Sequence, residues 1–214
     1  MKKFLIGITG GTGSGKSYFS ELIQRKIHNQ LALESTIFDQ DNYFFDEPKQ
    51  PRDKNGHANF DTPQSLDLAK YRLDFEKIVR GDKVIQRRYN YNKPIEDGKY
   101  EVVFKPNPVI IFEGIFSIYQ EDIFERQDLT VFMDAEFETK IRRRIIRDRE
   151  QRGYDEEDVR YKFSQHIKSS YHEHILPIRE KCNMVIENNT DANTLASNAE
   201  KVVEDVKRHF KIKN

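Results

Sequence analysis

Five short apolar runs punctuate a chain that is otherwise dense in charge: residues 4–8, 35–38, 109–112, 129–133 and 183–186. Runs this short and mainly apolar read as buried strands rather than as amphipathic surface strands. Between them the apolar positions change to helical spacing. Phe19, Leu22, Ile23 and Ile27 form one such stripe, and Leu195, Ala199, Val202, Val203 and Val206 form another within residues 194–210. That alternation predicts an α/β fold, a doubly wound, five-stranded parallel sheet flanked by helices. A strongly charged helix over residues 137–152 is expected to stop at Gly153, with a further helix starting over Asp155 to Asp158. Residues 46–105 break the rhythm. They are rich in Pro, Asn, Asp, Lys and Tyr, read as a long and less regular insertion, and are expected to carry substrate binding.

The first run leads into Gly-Gly-Thr-Gly-Ser-Gly-Lys-Ser, residues 10–17, a complete G-x-x-x-x-G-K-[ST] phosphate loop set between a strand and a helix. Wrapping polyphosphate requires inward-turned N–H groups in conformations open to glycine, so Gly10, Gly11, Gly13 and Gly15 are expected to supply that freedom, with Thr12 and Ser14 between them. The helix beginning near Lys16 aims its N-terminus at the same anion. Lys16 is expected to reach the β- and γ-phosphates, Ser17 to ligate Mg²⁺, and Tyr18 to complete the nucleotide-binding segment. The chain is therefore expected to bind a nucleoside triphosphate.

Two further strand ends carry acid. The run 109–112 is followed by Glu113 and Gly114, an acidic strand end of the kind placed near Mg²⁺ in P-loop enzymes. After the second run come Asp39, Gln40 and Asp41, at the edge where open α/β sheets bind ligands. A carboxylate there can accept a proton from an attacking hydroxyl, or cap the following turn; the pattern alone permits both.

Composition narrows the classes. The 214 residues suit one domain, and Lys plus Arg balances Asp plus Glu at 36 each, so no net field draws the whole protein to nucleic acid or an anionic membrane. Cys182 is the only cysteine; it excludes an internal disulfide and points to a reducing, cytoplasmic setting with a core role for the thiol. No run approaches the roughly 20 apolar residues of a membrane helix. His172 and His174 sit two apart, so on a helix they face different ways and are expected to be structural. A regulatory GTPase would need Asn-Lys-x-Asp, and Asn92-Lys93-Pro94-Ile95 lacks the aspartate. A nucleic-acid-dependent ATPase is disfavoured by the charge balance.

The phosphate loop, Gln40-Asp41-Asn42-Tyr43, Asn59-Phe60-Asp61, Tyr89-Asn90-Tyr91, Phe112-Glu113-Gly114-Ile115 and Arg143-Arg144-Ile145-Ile146-Arg147-Asp148 follow one another in the order found in the uridine kinase (uridine–cytidine kinase) family. The chain resembles that family, within the phosphoribulokinase and uridine kinase group of P-loop kinases, over nearly its whole length. The resemblance implies a single kinase domain over residues 1–214, with a substrate-binding insertion at 46–105 and an Arg-rich helical lid at 137–165. It implies ATP- and Mg²⁺-dependent phosphorylation of the ribose 5′-hydroxyl of uridine or cytidine, and allows a homo-oligomer. Asp41 would be the catalytic carboxylate, also near the metal; Ser17 and Glu113 would serve Mg²⁺. Asp61 would hold the ribose hydroxyls, Tyr89 and Tyr91 would contact the nucleoside, and Arg144 would bind near the acceptor hydroxyl. Lys16, Arg147 and Arg152 would act on the phosphates, and Asp191 would lie beside the adenine. The aromatics Tyr43, Phe44, Phe45, Phe60, Tyr89 and Tyr91 are expected to divide between stacking on a base and packing the insertion against the sheet. The family's base-reading histidine is replaced here within Asn92-Lys93-Pro94-Ile95, and its lid arginine and glutamine fall on Tyr154 and Lys162. The sequence therefore leaves open another small hydroxyl acceptor: a different nucleoside, a pantothenate-like molecule or a sugar phosphate.

Overall fold

The computed structural model of the protein describes residues 2–88, 101–189 and 192–212. Its strands in chain order are Phe4–Gly10 (β1), Ser35–Asp39 (β2), Val84–Arg87 (β3), Glu101–Phe104 (β4), Val109–Glu113 (β5), Leu129–Asp134 (β6) and Met184–Glu187 (β7). Five of them form one parallel sheet in the order β2-β5-β1-β6-β7, while β3 and β4 pair as an antiparallel hairpin. The five expected strands are thus present, each within a residue or two of the apolar run that announced it.

The sheet is buried on both faces, and its period of two sorts the side chains. Ile6 and Ile8 of β1 and Val109 and Ile111 of β5 point to one face. There Lys16–Leu31 (α1) and the C-terminal helix cover them, through Phe19, Ile23, Ile27 and Ala199, Val202, Val206. Leu5, Ile110 and Phe112 point to the other face. That face is covered by Leu68–Arg80 (α2), whose Tyr71, Phe75 and Ile78 are fully buried. The insertion is therefore more regular than its composition suggested. Its helix α2 starts on an Asp67 cap, which accepts from Lys70 N, and ends at Gly81 in the left-handed region. Tyr43, a candidate for base stacking, is instead a core residue, 3% exposed, with its hydroxyl 3.2 Å from Asp74 Oδ2.

A short helix, Glu121–Phe124 (α3), precedes β6, and the charged helix Phe137–Arg152 (α4) follows it. Gly153, at φ 71°, ends α4 where the sequence placed the stop. Asp155 then caps Glu156–Lys162 (α5), accepting from Asp158 N. Two π turns, Phe163–Ile167 and Tyr171–Ile175, link α5 to Lys168–Ser170 (α6) and Leu176–Arg179 (α7). Ala192–Phe210 (α8) closes the fold. Among the described residues no helix is long and apolar enough to cross a membrane.

Candidate active site

At the carboxyl end of β1 the chain turns through residues 11–15 and enters α1 at Lys16. The turn is closed by Ser14 N donating to Gly11 O at 3.1 Å, and Lys16 Nζ donates to the same carbonyl at 3.1 Å. Gly13 (φ +76°) and Gly15 (φ +97°) need their left-handed backbone, and neither has room for a side chain: a Cβ would lie 2.6 Å from Lys140 O and 2.3 Å from Asn188 Nδ2. Gly11 has no positive φ; its smallness accommodates the Tyr171 ring, 3.2 Å from where a Cβ would sit. No side chain caps α1, so its first N–H groups face the cleft, as an anion site requires.

Parallel register brings the acidic strand ends together: Asp39 on β2 stands opposite Glu113 on β5. Ser17 Oγ donates to Glu113 Oε2 at 3.4 Å. Burial is the largest influence on Glu113 and pushes its carboxyl up to about 7, Lys16 opposing and Asp41 reinforcing. Burial also pulls the Lys16 ammonium down, while Glu113 and Asp41 hold it up. Asp39 is pushed well above the usual range by burial, then by Asp41 and Glu113; its side chain accepts Asp41 N at 2.9 Å and so fixes the start of the turn bearing Asp41. Ser17 and Glu113 supply a hydroxyl and a buried carboxylate, hard oxygen donors of the kind Mg²⁺ takes, so these two residues fit that ion.

Helix α4 closes the cleft with cations. Arg144 is buried and bridges three elements: Nε donates to Asp148 Oδ2 at 3.0 Å, and Nη1 to Asp61 Oδ1 at 3.2 Å and Thr12 Oγ1 at 3.4 Å. Asp148, fully buried, also takes Arg147 Nε at 2.9 Å and Arg152 Nη1 at 3.4 Å. Burial opposes ionisation of Asp148, but the three guanidiniums outweigh it and hold the carboxyl below its usual range. One carboxylate thus gathers arginines that would otherwise repel one another.

The resulting cleft has a volume of about 250 Å³. Of the sequence-derived candidates, Thr12, Gly13, Gly15, Lys16, Ser17, Tyr18, Asp41, Asp61, Glu113, Arg144, Arg147 and Arg152 line it, joined by Phe44 and Phe60. Gly10, Gly11 and Ser14 shape the loop from behind. Tyr89, Tyr91 and Asp191 lie outside the described residues. Tyr154 and Lys162 engage each other, the ammonium 3.4 Å from the ring centroid. Among the described residues, no group of three or more His, Cys, Asp and Glu side chains could hold a metal ion.

Two contributors were not among the sequence candidates, Lys140 and Asn188, and a third, Arg143, entered only as part of the arginine run. Lys140, 2% exposed, donates to Asp134 Oδ1 at 2.8 Å, lies over the Tyr171 ring and backs Gly11 and Gly13. Asn188 follows β7, donates to Ser14 O at 2.8 Å and accepts from Arg143 Nη2 at 3.4 Å; its place at a strand's carboxyl end was the available clue. Arg143 also donates to Gly13 O at 3.4 Å.

Backbone donors and a lysine by themselves would serve any nucleotide-binding switch. Carboxylates and arginines across the same cleft add a place for a second substrate, and with it the protein falls in the class of P-loop kinases. The sequence model of the phosphoribulokinase / uridine kinase family matches residues 5–195, and the chain belongs to that family of ATP-dependent kinases. The uridine kinase of Deinococcus deserti is 26% identical over 186 residues, 87% of this chain and 88% of that protein. The uridine kinase of Halobacterium salinarum is 28% identical over 195 residues, 91% of this chain and 84% of its own. Phosphoribulokinase from Rhodobacter spheroides shares the fold, with a TM-score of 0.66 at 17% identity over 90% of this chain and 72% of that one.

Proposed function

We propose that the protein transfers the γ-phosphoryl group of ATP to the 5′-hydroxyl of a pyrimidine nucleoside, uridine or cytidine, in the cytoplasm. The observation that carries this reading is the convergence of Asp41, Asp61 and Arg144 with the phosphate loop in one cleft. The phosphate loop and α1 N-terminus hold the triphosphate, while Lys16, Arg147 and Arg152 neutralise charge on the transferred group. Bound at Ser17 and Glu113, Mg²⁺ would supply further neutralisation of the phosphate oxygens. Asp41 orients the acceptor hydroxyl and takes its proton as the oxygen bonds to the γ-phosphorus and the bond to the β–γ bridging oxygen breaks, releasing ADP. Asp61, held by Arg144, receives a vicinal diol, and Phe44 and Phe60, in edge-to-face contact at 5.8 Å, wall the apolar side. Transfer of this kind depends on positioning and charge more than on covalent chemistry.

One observation favours a different acceptor of the same kinase. The Lys162–Tyr154 pair occupies the positions where the resembled family reads the base, and these two groups pair with each other. The role of Asp61 in the first reading is tested on the ribose. Wild type is expected to prefer uridine over 2′,3′-dideoxyuridine by about tenfold or more in kcat/KM, and Asp61→Ala to erase that preference. A preference unchanged in Asp61→Ala removes Asp61 from the acceptor site.

A further inference from the structure

Outside the cleft, the most heavily satisfied carboxylate on the loop before Asp61 is Asp53. Its Oδ1 accepts the backbone N–H groups of Asn55 (2.8 Å) and His57 (2.9 Å), which shapes residues 52–58 into a tight turn closed by the Arg52–Ala58 bridge. Its Oδ2 leaves the loop altogether. It accepts the Tyr161 hydroxyl at 2.6 Å from α5 and meets His166 Nε2 at 2.8 Å from the following π turn. Asn55 Nδ2 donates to the Tyr161 oxygen at 2.7 Å, and the His57 and Tyr161 rings lie 4.6 Å apart. The Tyr161 hydrogen bond foremost, then those of His166 and the two backbone groups, hold the Asp53 carboxyl well below its usual range against the pull of burial. Facing an ionised carboxylate, His166 is assigned its proton on Nε2. Its ring is 2% exposed and its Nδ1 is buried without a hydrogen-bond partner, so the imidazole gives its whole polar capacity to Asp53.

Apart from these bonds the loop is held at its base, where Arg52 donates to Gly56 O and to Glu47 Oε1, each at 2.8 Å. Residues 52–57 read Arg-Asp-Lys-Asn-Gly-His, bring no apolar side chain to the core, and are exposed apart from Asp53. Downstream, Asn59 N donates to Pro51 O at 2.7 Å and Asp61 N to Asn59 Oδ1 at 3.0 Å, so the geometry of the turn passes directly to Phe60 and Asp61. The segment is therefore anchored twice to the helices that close the cleft: at Asp61 by Arg144 of α4, and at Asp53 by Tyr161 and His166.

We propose that Asp53 is a positioning residue for the acceptor pocket: by tying the 51–59 loop to Tyr161 and His166 it sets where Phe60 and Asp61 stand relative to Arg144. The proposal rests on the reading that Asp61 faces the acceptor. Asp53→Asn keeps the size of the side chain, but its amide nitrogen opposes either the donors of the helix or those of the turn. With uridine as acceptor and Mg·ATP as donor, Asp53→Asn is expected to raise the acceptor KM by about tenfold while the KM for ATP stays within about twofold. Tyr161→Phe, which removes one of the two cross-links, is expected to move the acceptor KM in the same direction by less. Thermal unfolding should barely shift, because the loop contributes no core. Unchanged acceptor KM in Asp53→Asn, or KM values for both substrates rising together with a fall in unfolding midpoint, would overturn the proposal. Asp61→Ala run alongside separates the two claims. An effect there without one in Asp53→Asn defeats the positioning role alone, whereas no effect in Asp61→Ala defeats the acceptor reading and the positioning role with it.

Discussion

In the proposed reaction the chemistry turns on Asp41, and its position follows from a neighbour rather than from its own contacts alone. Asp39 at the end of β2 caps the turn, so Asp41 is presented at the carboxyl edge of the sheet and lines the cleft beside Lys16 and Glu113. A group that acts on the acceptor hydroxyl contributes little to holding nucleotide. Asp41→Asn is therefore expected to lower kcat by about two to four orders of magnitude, with ATP affinity by calorimetry within about threefold of wild type. Lost nucleotide affinity with turnover retained would assign Asp41 to the metal or the phosphates. That these residues meet was legible in the sequence: Lys16, Ser17, Glu113 and Asp41, which line one cleft, each sit in a local motif at the end of a strand or just after it. Lys140, Asn188 and Asp53 were not, because each matters through a backbone or ring supplied by a distant segment. No spacing in the chain announces that Lys140 backs Gly13, or that Asp53 meets a histidine 113 positions on.

Among the elements, α4 and α2 show the two ways sequence reading fares. The end of α4 and the start of α5 were readable because the Gly153 left-handed stop and the Asp155 cap are chemical signals that act locally. Helix α2 was hidden inside a polar insertion, although Tyr71, Phe75 and Ile78 share one face. The hairpin was obscured too, since in β3 only Val84 and Gln86 are buried and Ile85 is exposed. What fixes α2 beneath the acceptor loop is polar as well as apolar. Buried Asp74 accepts Lys70 Nζ at 2.8 Å, Lys77 Nζ at 2.9 Å, Gln86 Nε2 at 2.5 Å and the Tyr43 hydroxyl, joining α2 to β3 and to the turn that bears Asp41. Burial raises this carboxyl, but the Lys70 and Lys77 hydrogen bonds prevail and its net shift is downward. A depressed folded value means that the stabilisation is complete above the unfolded pKa of about 3.9 and is lost as pH falls through the folded one. Asp74→Asn is thus expected to lower unfolding free energy at pH 7 by about 2 kcal/mol, with the gap to wild type closing below about pH 4 in urea titrations. A gap that stays constant from pH 7 to pH 3.5 would show that folding leaves the Asp74 pKa unchanged.

Over the whole molecule, two segments of different origin meet at the carboxyl edge of one parallel sheet. The strands fix the phosphate loop, Asp41 and Glu113, while the loop before α2 and the helices after β6 close over them through Asp61–Arg144 and Asp53–Tyr161–His166. The sheet was visible in the apolar runs because burial on both faces leaves an unbroken hydrophobic signature. The closure was not, since it is built from charged side chains whose partners are set by the fold. The balance of 36 basic and 36 acidic residues fits this arrangement, with charge spent on internal pairs such as those of Asp148 rather than on an external field. The most direct measurement follows product formation from Mg·ATP with uridine, cytidine, adenosine, guanosine, nicotinamide riboside, pantothenate and ribulose 5-phosphate in parallel. Turnover of uridine or cytidine to the 5′-monophosphate, far above the other acceptors, is expected. Silence on both pyrimidine nucleosides, with phosphorylation of another hydroxyl, would contradict it and assign the Lys162–Tyr154 pair to a different acceptor.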